Sequence, residues 1–207
     1  MRLPLLLLSA AVLAGPALAD QETRSLEAFK EIKISGSMDA DVRLGDTHRI
    51  TIEADRETLA RIETEVRDGV LHVKERDRRG WGRRGSVDLA IVTQALDGVT
   101  LSGSGDVTAR NIDTDAFHLR ISGSGDGDLA GRCGTLKIVV SGSGDVDASG
   151  LECDDVDVSI SGSGDAEVYA RRDVSVRVSG SGDVDIYGGG RLTNSKVSGS
   201  GDVAIHN

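Results

Sequence analysis

Large aromatic side chains are nearly missing from this chain: phenylalanine, tryptophan and tyrosine together make up 2% of it. Globular cores rely on such residues for much of their buried area, so a core here has to be thin and layered from small aliphatics. Proline is scarce as well, 2 residues against 27 glycines, which argues against reading the glycines as Pro/Gly-rich disorder. There is no basic excess: 34 acidic residues face 24 basic ones, for a net charge of −10. That balance lacks the positive footprint a nucleic-acid partner requires. No segment reaches the run of about 18 apolar residues that marks a membrane-spanning helix. The four histidines, His48, His72, His118 and His206, have no metal-ligand spacing, and there is no GxSxG elbow, CxxC pair or P-loop. No catalytic residue and no cofactor is therefore expected.

What is present begins with a processing signal. Arg2 supplies a basic start, Leu5 to Leu8 open an apolar run that reaches Leu13, and Ala17-Leu18-Ala19 forms a small-x-small cleavage site before Asp20. Residues 1–19 are expected to be removed on export and residues 20–28 to form a tail. The residue after the cut is not cysteine, so nothing indicates a lipid anchor.

The dominant feature is a repeat. The motif Ser-Gly-Ser-Gly-Asp begins at Ser102, Ser122, Ser141, Ser161, Ser179 and Ser198, in steps of 20, 19, 20, 18 and 19 residues. A degenerate copy, Ser35-Gly36-Ser37-Met38-Asp39, lies near the mature N-terminus. Within each unit the apolar residues alternate: Phe117, Leu119 and Ile121 before one motif, Val156, Val158 and Ile160 before another, Val184 and Ile186 after a third. Period two is the pattern of half-buried strands. Units that cannot bury their apolar face alone stack on their neighbours. The chain from 96 to 207 is thus predicted to be a parallel β-helix, or solenoid, with coils of about 19 residues. Six coils at about 4.8 Å per rung give a rod about 29 Å long. The glycines are in phase with the inward residues, so each coil is expected to narrow at the motif, with Ser, Ser and Asp facing solvent.

Residues 29–95 read as an N-terminal β subdomain that runs into the solenoid and caps its first coil, making 29–207 one continuous domain. Strands are predicted over 29–34, 40–44, 49–54, 62–66 and 70–74, with one helical turn over 56–61. Residues 75–85, ERDRRGWGRRG, form the one concentrated basic stretch and are expected to be a loop.

The export signal, the opening Phe29-Lys30-Glu31-Ile32-Lys33-Ile34, the Asp68-Gly69-Val70-Leu71 hairpin and the repeated SGSGD units followed by valine together resemble the auto-transporter adhesin head domain, or GIN domain, of bacteria. The resemblance spans about residues 28–205. It implies an all-β, right-handed helical fold at or beyond the cell envelope, with a surface-binding role and no catalytic residues.

Four groups of residues are candidates for chemistry. The first is the aspartate ladder Asp106, Asp126, Asp145, Asp165, Asp183 and Asp202. An aspartate after glycine in a bend accepts hydrogen bonds from nearby backbone N–H groups, and this structural reading leads. A divalent-cation site is the alternative, because calcium takes oxygen ligands. The second is Cys133 and Cys153, each eight residues before its motif. They should stack in adjacent coils and, after export, form a disulfide. The third is Gly80-Trp81-Gly82-Arg83-Arg84-Gly85, which matches the dinucleotide pattern GxGxxG. Its following residues alternate like a strand, and that pattern needs a helix there, so the match is accidental. The fourth is the set Arg76, Arg78, Arg79, Arg83 and Arg84 around Trp81. It reads either as a solvated loop or as a contact patch for an anionic envelope component, because arginine clamps anions bidentately.

The leading functional expectation is an exported, non-catalytic, adhesin-like binding module in the periplasm or on the surface of a Gram-negative bacterium. Its partner would be an envelope glycan, glycolipid or protein, with self-association through an open C-terminal coil. A structural repeat protein without a ligand is the alternative, and a carbohydrate-active β-helix enzyme ranks behind both.

Overall fold

The computed structural model describes residues 20–76 and 85–206. The signal segment therefore lies outside the described residues, as do Arg78, Arg79, Trp81, Arg83 and Arg84. The described chain is a β-solenoid with a single 15-stranded sheet wound around one core.

Chain order begins with β1 (Asp20–Ser25), β2 (Glu31–Gly36), β3 (Asp39–Leu44), β4 (Arg49–Ala54) and the short helix α1 (Arg56–Leu59). Next come β5 (Ile62–Arg67), β6 (Val70–Glu75), β7 (Asp88–Thr93) and β8 (Gly98–Gly103). The long strands β9 (Val107–Gly123), β10 (Gly127–Gly142), β11 (Val146–Gly162) and β12 (Ala166–Gly180) follow. The chain closes with β13 (Val184–Tyr187), β14 (Arg191–Gly199) and β15 (Val203–Ile205).

Each motif divides a coil into two sides. On the side that follows the motif, neighbouring strands run β1-β4-β7-β3-β9-β10-β11-β12-β13-β15. On the side that precedes it, β5-β6-β2-β8 lead into the second halves of β9 to β12, and β14 pairs with β12. The long strands serve both sides because they bend midway, where Asn111 (φ 62°) and Gly131 (φ 139°) take left-handed conformations. Registers also slip at this corner, between Leu129 and Gly131 and between Ala148 and Glu152. Coil lengths of 18 to 20 residues are absorbed here, away from the motif.

The degenerate motif is the first rung. Ser35 and Gly36 pair with Ser102 and Gly103, and β3 pairs with the start of β9, so β2 and β3 form a full coil under the first perfect repeat. Strands β1 and β4 to β7 extend both sides beyond it. Helix α1 is capped by Asp55, whose carboxylate accepts from the Thr58 backbone N–H at 3.0 Å and from its hydroxyl at 2.7 Å. Asp68 (φ 51°) and Gly69 (φ 76°) make the tight turn of the β5–β6 hairpin. Residues 20–28 are not left as a tail: β1 pairs antiparallel with β4.

The core is a stack of aliphatic rungs such as Leu119, Ile138, Val158 and Val176, all at most 1% exposed. Among the described residues, Phe29 and Phe117 are the aromatic members of this core and are likewise fully buried.

The glycines of the motif act differently from the sequence expectation. The coil does not run through the motif as one strand; β8 ends at Gly103 and β9 starts at Val107. The steric limit is along the rod axis, not in a narrowed interior. A Cβ on Gly144 would lie 2.0 Å from the carbonyl oxygen of Gly125 in the preceding coil. The first glycine of each motif carries in addition a positive φ, 139° at Gly142. Gly144→Ala is therefore expected to cost about 2–4 kcal/mol in urea unfolding, while Gly69→Ala, with nothing within 4 Å of its Cβ, should cost about 1–2 kcal/mol from backbone conformation alone.

Candidate functional site

The motif turn is where coils are tied to one another. At each turn the backbone leaves the strand ladder, so its N–H groups need acceptors from elsewhere. The aspartate supplies one. Asp106 N–H donates to the Asp39 carboxylate at 3.0 Å, and the same bond recurs from Asp126 to Asp106, Asp145 to Asp126 and Asp165 to Asp145, each at 2.8 Å. Asp183 and Asp202 continue the series at 2.7 Å. Each aspartate carbonyl meanwhile accepts from the residue that follows the aspartate one coil earlier, as in Val107 N–H to Asp126 at 2.8 Å. The predicted ladder thus lines up on successive rungs with its carboxylates exposed, and Asp39 joins it as the first member. Neighbouring carboxylates about 4.8 Å apart repel by roughly 0.9 kcal/mol in water. The donated N–H at each rung offsets that repulsion.

Cys133 and Cys153 are register partners in β10 and β11 and form a disulfide, with Cα atoms 4.6 Å apart. Cys153 is fully buried and Cys133 is 8% exposed, so the bond faces the core beside the corner.

Of the basic stretch, Arg76 is described. Its guanidinium is held by Glu63, with Nε 2.6 Å from a carboxylate oxygen, and Lys74 lies 3.1 Å from the same carboxylate. Those two cations hold Glu63 below the usual carboxylate range. The GxGxxG match leads into the strand β7, not a helix.

Two further columns escape a reading confined to the motif. On the post-motif side, two residues beyond each motif aspartate, Asp41, Asp128, Asp147, Glu167 and Asp185 point outward, interrupted by Thr108 and ending at Ala204. Next to them Tyr169 is the register partner of Tyr187, whose ring stacks on His206 with ring centroids 4.8 Å apart. Burial, then the charges of Glu167, Asp185 and Asp147, push the Tyr187 hydroxyl pKa up. At the N-terminal end of this side Asp39, Asp41, Glu53, Asp88 and Asp106 line an open depression of about 350 Å³. On the pre-motif side, two residues before each first serine, the outward column reads Lys33, Thr100, Arg120, Val139, Ser159, Arg177 and Lys196. Aligning the units on SGSGD and reading two positions either way exposes both columns from sequence.

The corner is neutralised by ion pairs between adjacent coils. Arg132 binds Asp113 at 2.6 Å, Arg172 binds Asp155 at 2.7 Å, Arg191 binds Asp173 at 3.0 Å, and Arg171 binds Glu152. At the far end, β14 and β15 each pair on one side, and Val197 and Ile205 are 40% and 45% exposed. Among the described residues, no three His, Cys, Asp or Glu side chains converge on a point that could hold a metal ion.

A model of the putative auto-transporter adhesin, head GIN domain, matches residues 28–190. The chain belongs to the GIN domain family. Among solved structures, a putative adhesin from Bacteroides fragilis is similar with a TM-score of 0.73 at 20% identity, covering 91% of this chain and 97% of that one. A putative adhesin from Parabacteroides distasonis is similar at a TM-score of 0.60 and 18% identity, covering 93% and 98%. A putative lipid binding protein from the same species gives 0.59 and 16%, with the same coverage. At these identities the likeness is one of fold. No match was found among curated proteins.

Two outcomes test the geometry of this region. Asp145→Ala strips the Asp165 N–H of its acceptor and should lower unfolding stability by about 1–2 kcal/mol, whereas Asp145→Asn, which keeps an oxygen at that place, should stay within about 0.5 kcal/mol in the same urea titration. Replacing both Cys133 and Cys153 by alanine removes a link across about 20 residues and should cost about 3 kcal/mol, read by the same titration against the unreduced parent.

Proposed function

We propose that this GIN domain protein is an exported, non-catalytic binding module of the bacterial envelope that engages a glycan, glycolipid or protein through the outer columns of its solenoid. The observation that carries this reading is the repetition of outward chemistry. The Ser, Ser and Asp of the motif recur coil after coil, and the acidic column beside them nearly so, in columns rather than in one cleft. A column of equivalent weak contacts suits an extended or repeating partner, where each contact after the first is made at high effective concentration. An enzyme instead concentrates unlike groups at one place. The ladder aspartates of this chain are repeated and hydrogen-bonded to backbone, which favours a structural role for them over cation binding. The adhesin names within the family and the lipid-binding name of one structural neighbour agree with a surface role. Export rests on the N-terminal signal pattern, and no helix among the described residues is long and apolar enough to cross a membrane.

The test is retention of the mature protein on washed envelopes of a Gram-negative bacterium and on glycan and lipid arrays, with and without calcium. Retention is expected on at least one class. Its absence from all of them would leave a structural spacer as the better account. Replacing Arg76, Arg78, Arg79, Arg83 and Arg84 together separates the two contact surfaces: lost retention assigns the basic loop, and unchanged retention assigns the columns.

A further inference from the structure

The two sides of the solenoid differ in charge: one is strongly acidic, and the other carries both signs and includes unpaired cations. The post-motif side presents the aspartate ladder and, beside it, Asp41, Asp128, Asp147, Glu167 and Asp185. Its cations are Arg24, Arg43, Arg49 and Arg110; Arg24, Arg43 and Arg110 are held by Glu22 at 2.8 Å, Asp41 at 2.7 Å and Asp128 at 2.6 Å, and His206 lies 2.5 Å from Asp185. The pre-motif side differs in holding cations that no carboxylate engages. Lys33, Arg120, Lys137 and Lys196 project from it and are exposed, and none has an ion-pair partner among the described residues. Arg177 lies 3.2 Å from Asp157. The other carboxylates on that side are Glu31, 3.9 Å from His118; Glu63 and Glu65, which are engaged by Arg76, Lys74 and Arg67; and Glu75, which is engaged by Arg61. Toward the corner lie Asp115, Asp155 and Asp173, the last two bound by Arg172 and Arg191. Around Arg177 and Lys196, Ser159, Ser161, Ser179 and Ser198 help line a shallow depression of about 380 Å³.

We infer that the pre-motif side of one copy docks on the post-motif side of a second copy. Three physical arguments select this partner. The unpaired cations of one side face a surface whose carboxylates far exceed its cations, so contact satisfies charges that are otherwise met by water alone. Both sides are built on the same coils, so cations and carboxylates are spaced by the same rung distance of about 4.8 Å. Parallel rods can therefore match without a mismatch accumulating along their length. The net charge of −10 repels copies at a distance, but beyond a Debye length of about 8 Å at physiological salt it is largely screened. Local complementarity then decides at contact. The two surfaces are different patches, which makes the contact heterologous; where its geometry does not close on itself it extends into rows of rods side by side. This goes beyond the binding-module reading and does not depend on the identity of any envelope ligand.

The experiment is a charge-swap mixing test on the mature protein, read by sedimentation velocity. One variant carries Arg120→Glu, Lys137→Glu and Lys196→Glu, and a second carries Asp147→Lys, Glu167→Lys and Asp185→Lys. None of these positions belongs to the hydrogen-bonded ladder, and circular dichroism melts verify folding. The parent should associate at low salt and weaken at least about tenfold near 1 M salt, where the Debye length is about 3 Å. Each variant alone should sediment as a monomer, and an equimolar mixture should associate again, because each then offers the other a complementary side. A parent that stays monomeric at low salt and high concentration overturns the inference, as does a mixture that fails to recover association. Association that survives both triple substitutions but is lost with Val197→Asp and Ile205→Asp would place the contact end-on and overturn it too. Binding of the parent to phosphatidylglycerol vesicles without self-association would assign the cationic side to anionic lipid instead.

Discussion

The interaction on which the rest of the structure depends is the bond from each motif aspartate's N–H to the carboxylate of its counterpart one coil earlier. A solenoid needs a turn in every coil, and a turn removes backbone groups from the strand ladder. Buried or half-buried N–H groups without acceptors are costly. The aspartate solves this in the axial direction, and the two glycines let successive turns approach closely enough for the bond to form. A methyl group at Gly144 would sit 2.0 Å from the Gly125 oxygen, which would force the coils apart and lengthen the bond at Asp145. Glycine and aspartate are thus one device, and neither residue works there without the other.

That device explains a composition that looks poor for folding. Two buried phenylalanines and a column of valines, isoleucines and leucines make a narrow core, and a narrow core alone stabilises little per coil. Axial hydrogen bonds between coils supply the cooperativity that volume does not. The disulfide between β10 and β11 and the corner ion pairs act between the same neighbours. Every major tie in the molecule thus runs along the rod, coil to coil.

Much of this was legible in the sequence because the repeat converts one local pattern into a global arrangement. The alternation of Val156, Val158 and Ile160 gave their inward direction, and the equal offsets of Cys133 and Cys153 from their motifs gave their pairing. Strands β2 to β7 also followed from alternation and from the Asp-Gly turn, and helix α1 lies within the helical turn expected over 56–61. What was not legible has a common cause. The limit on the glycines is set by the backbone of a neighbouring coil, and a single unit carries no sign of whether its glycine is crowded from inside or from below. The strand β1 has mostly exposed side chains, so hydropathy gave no reason to pair it. The charged columns flanking the motif emerge only when units are aligned and read across, since within one unit Arg120 or Asp147 is an ordinary surface residue.

The motif bond has a direction: every coil takes an acceptor from the coil before it and offers one to the coil after. A unit copied in tandem would arrive with both ends of that exchange already provided, and the corner, where the registers slip between Leu129 and Gly131 and between Ala148 and Glu152, would take up a residue more or less. Rod length is accordingly a quantity that gene duplication can change in whole-coil steps with no redesign of the interior. Reach, rather than the shape of any one turn, is the property such a fold leaves open to evolution.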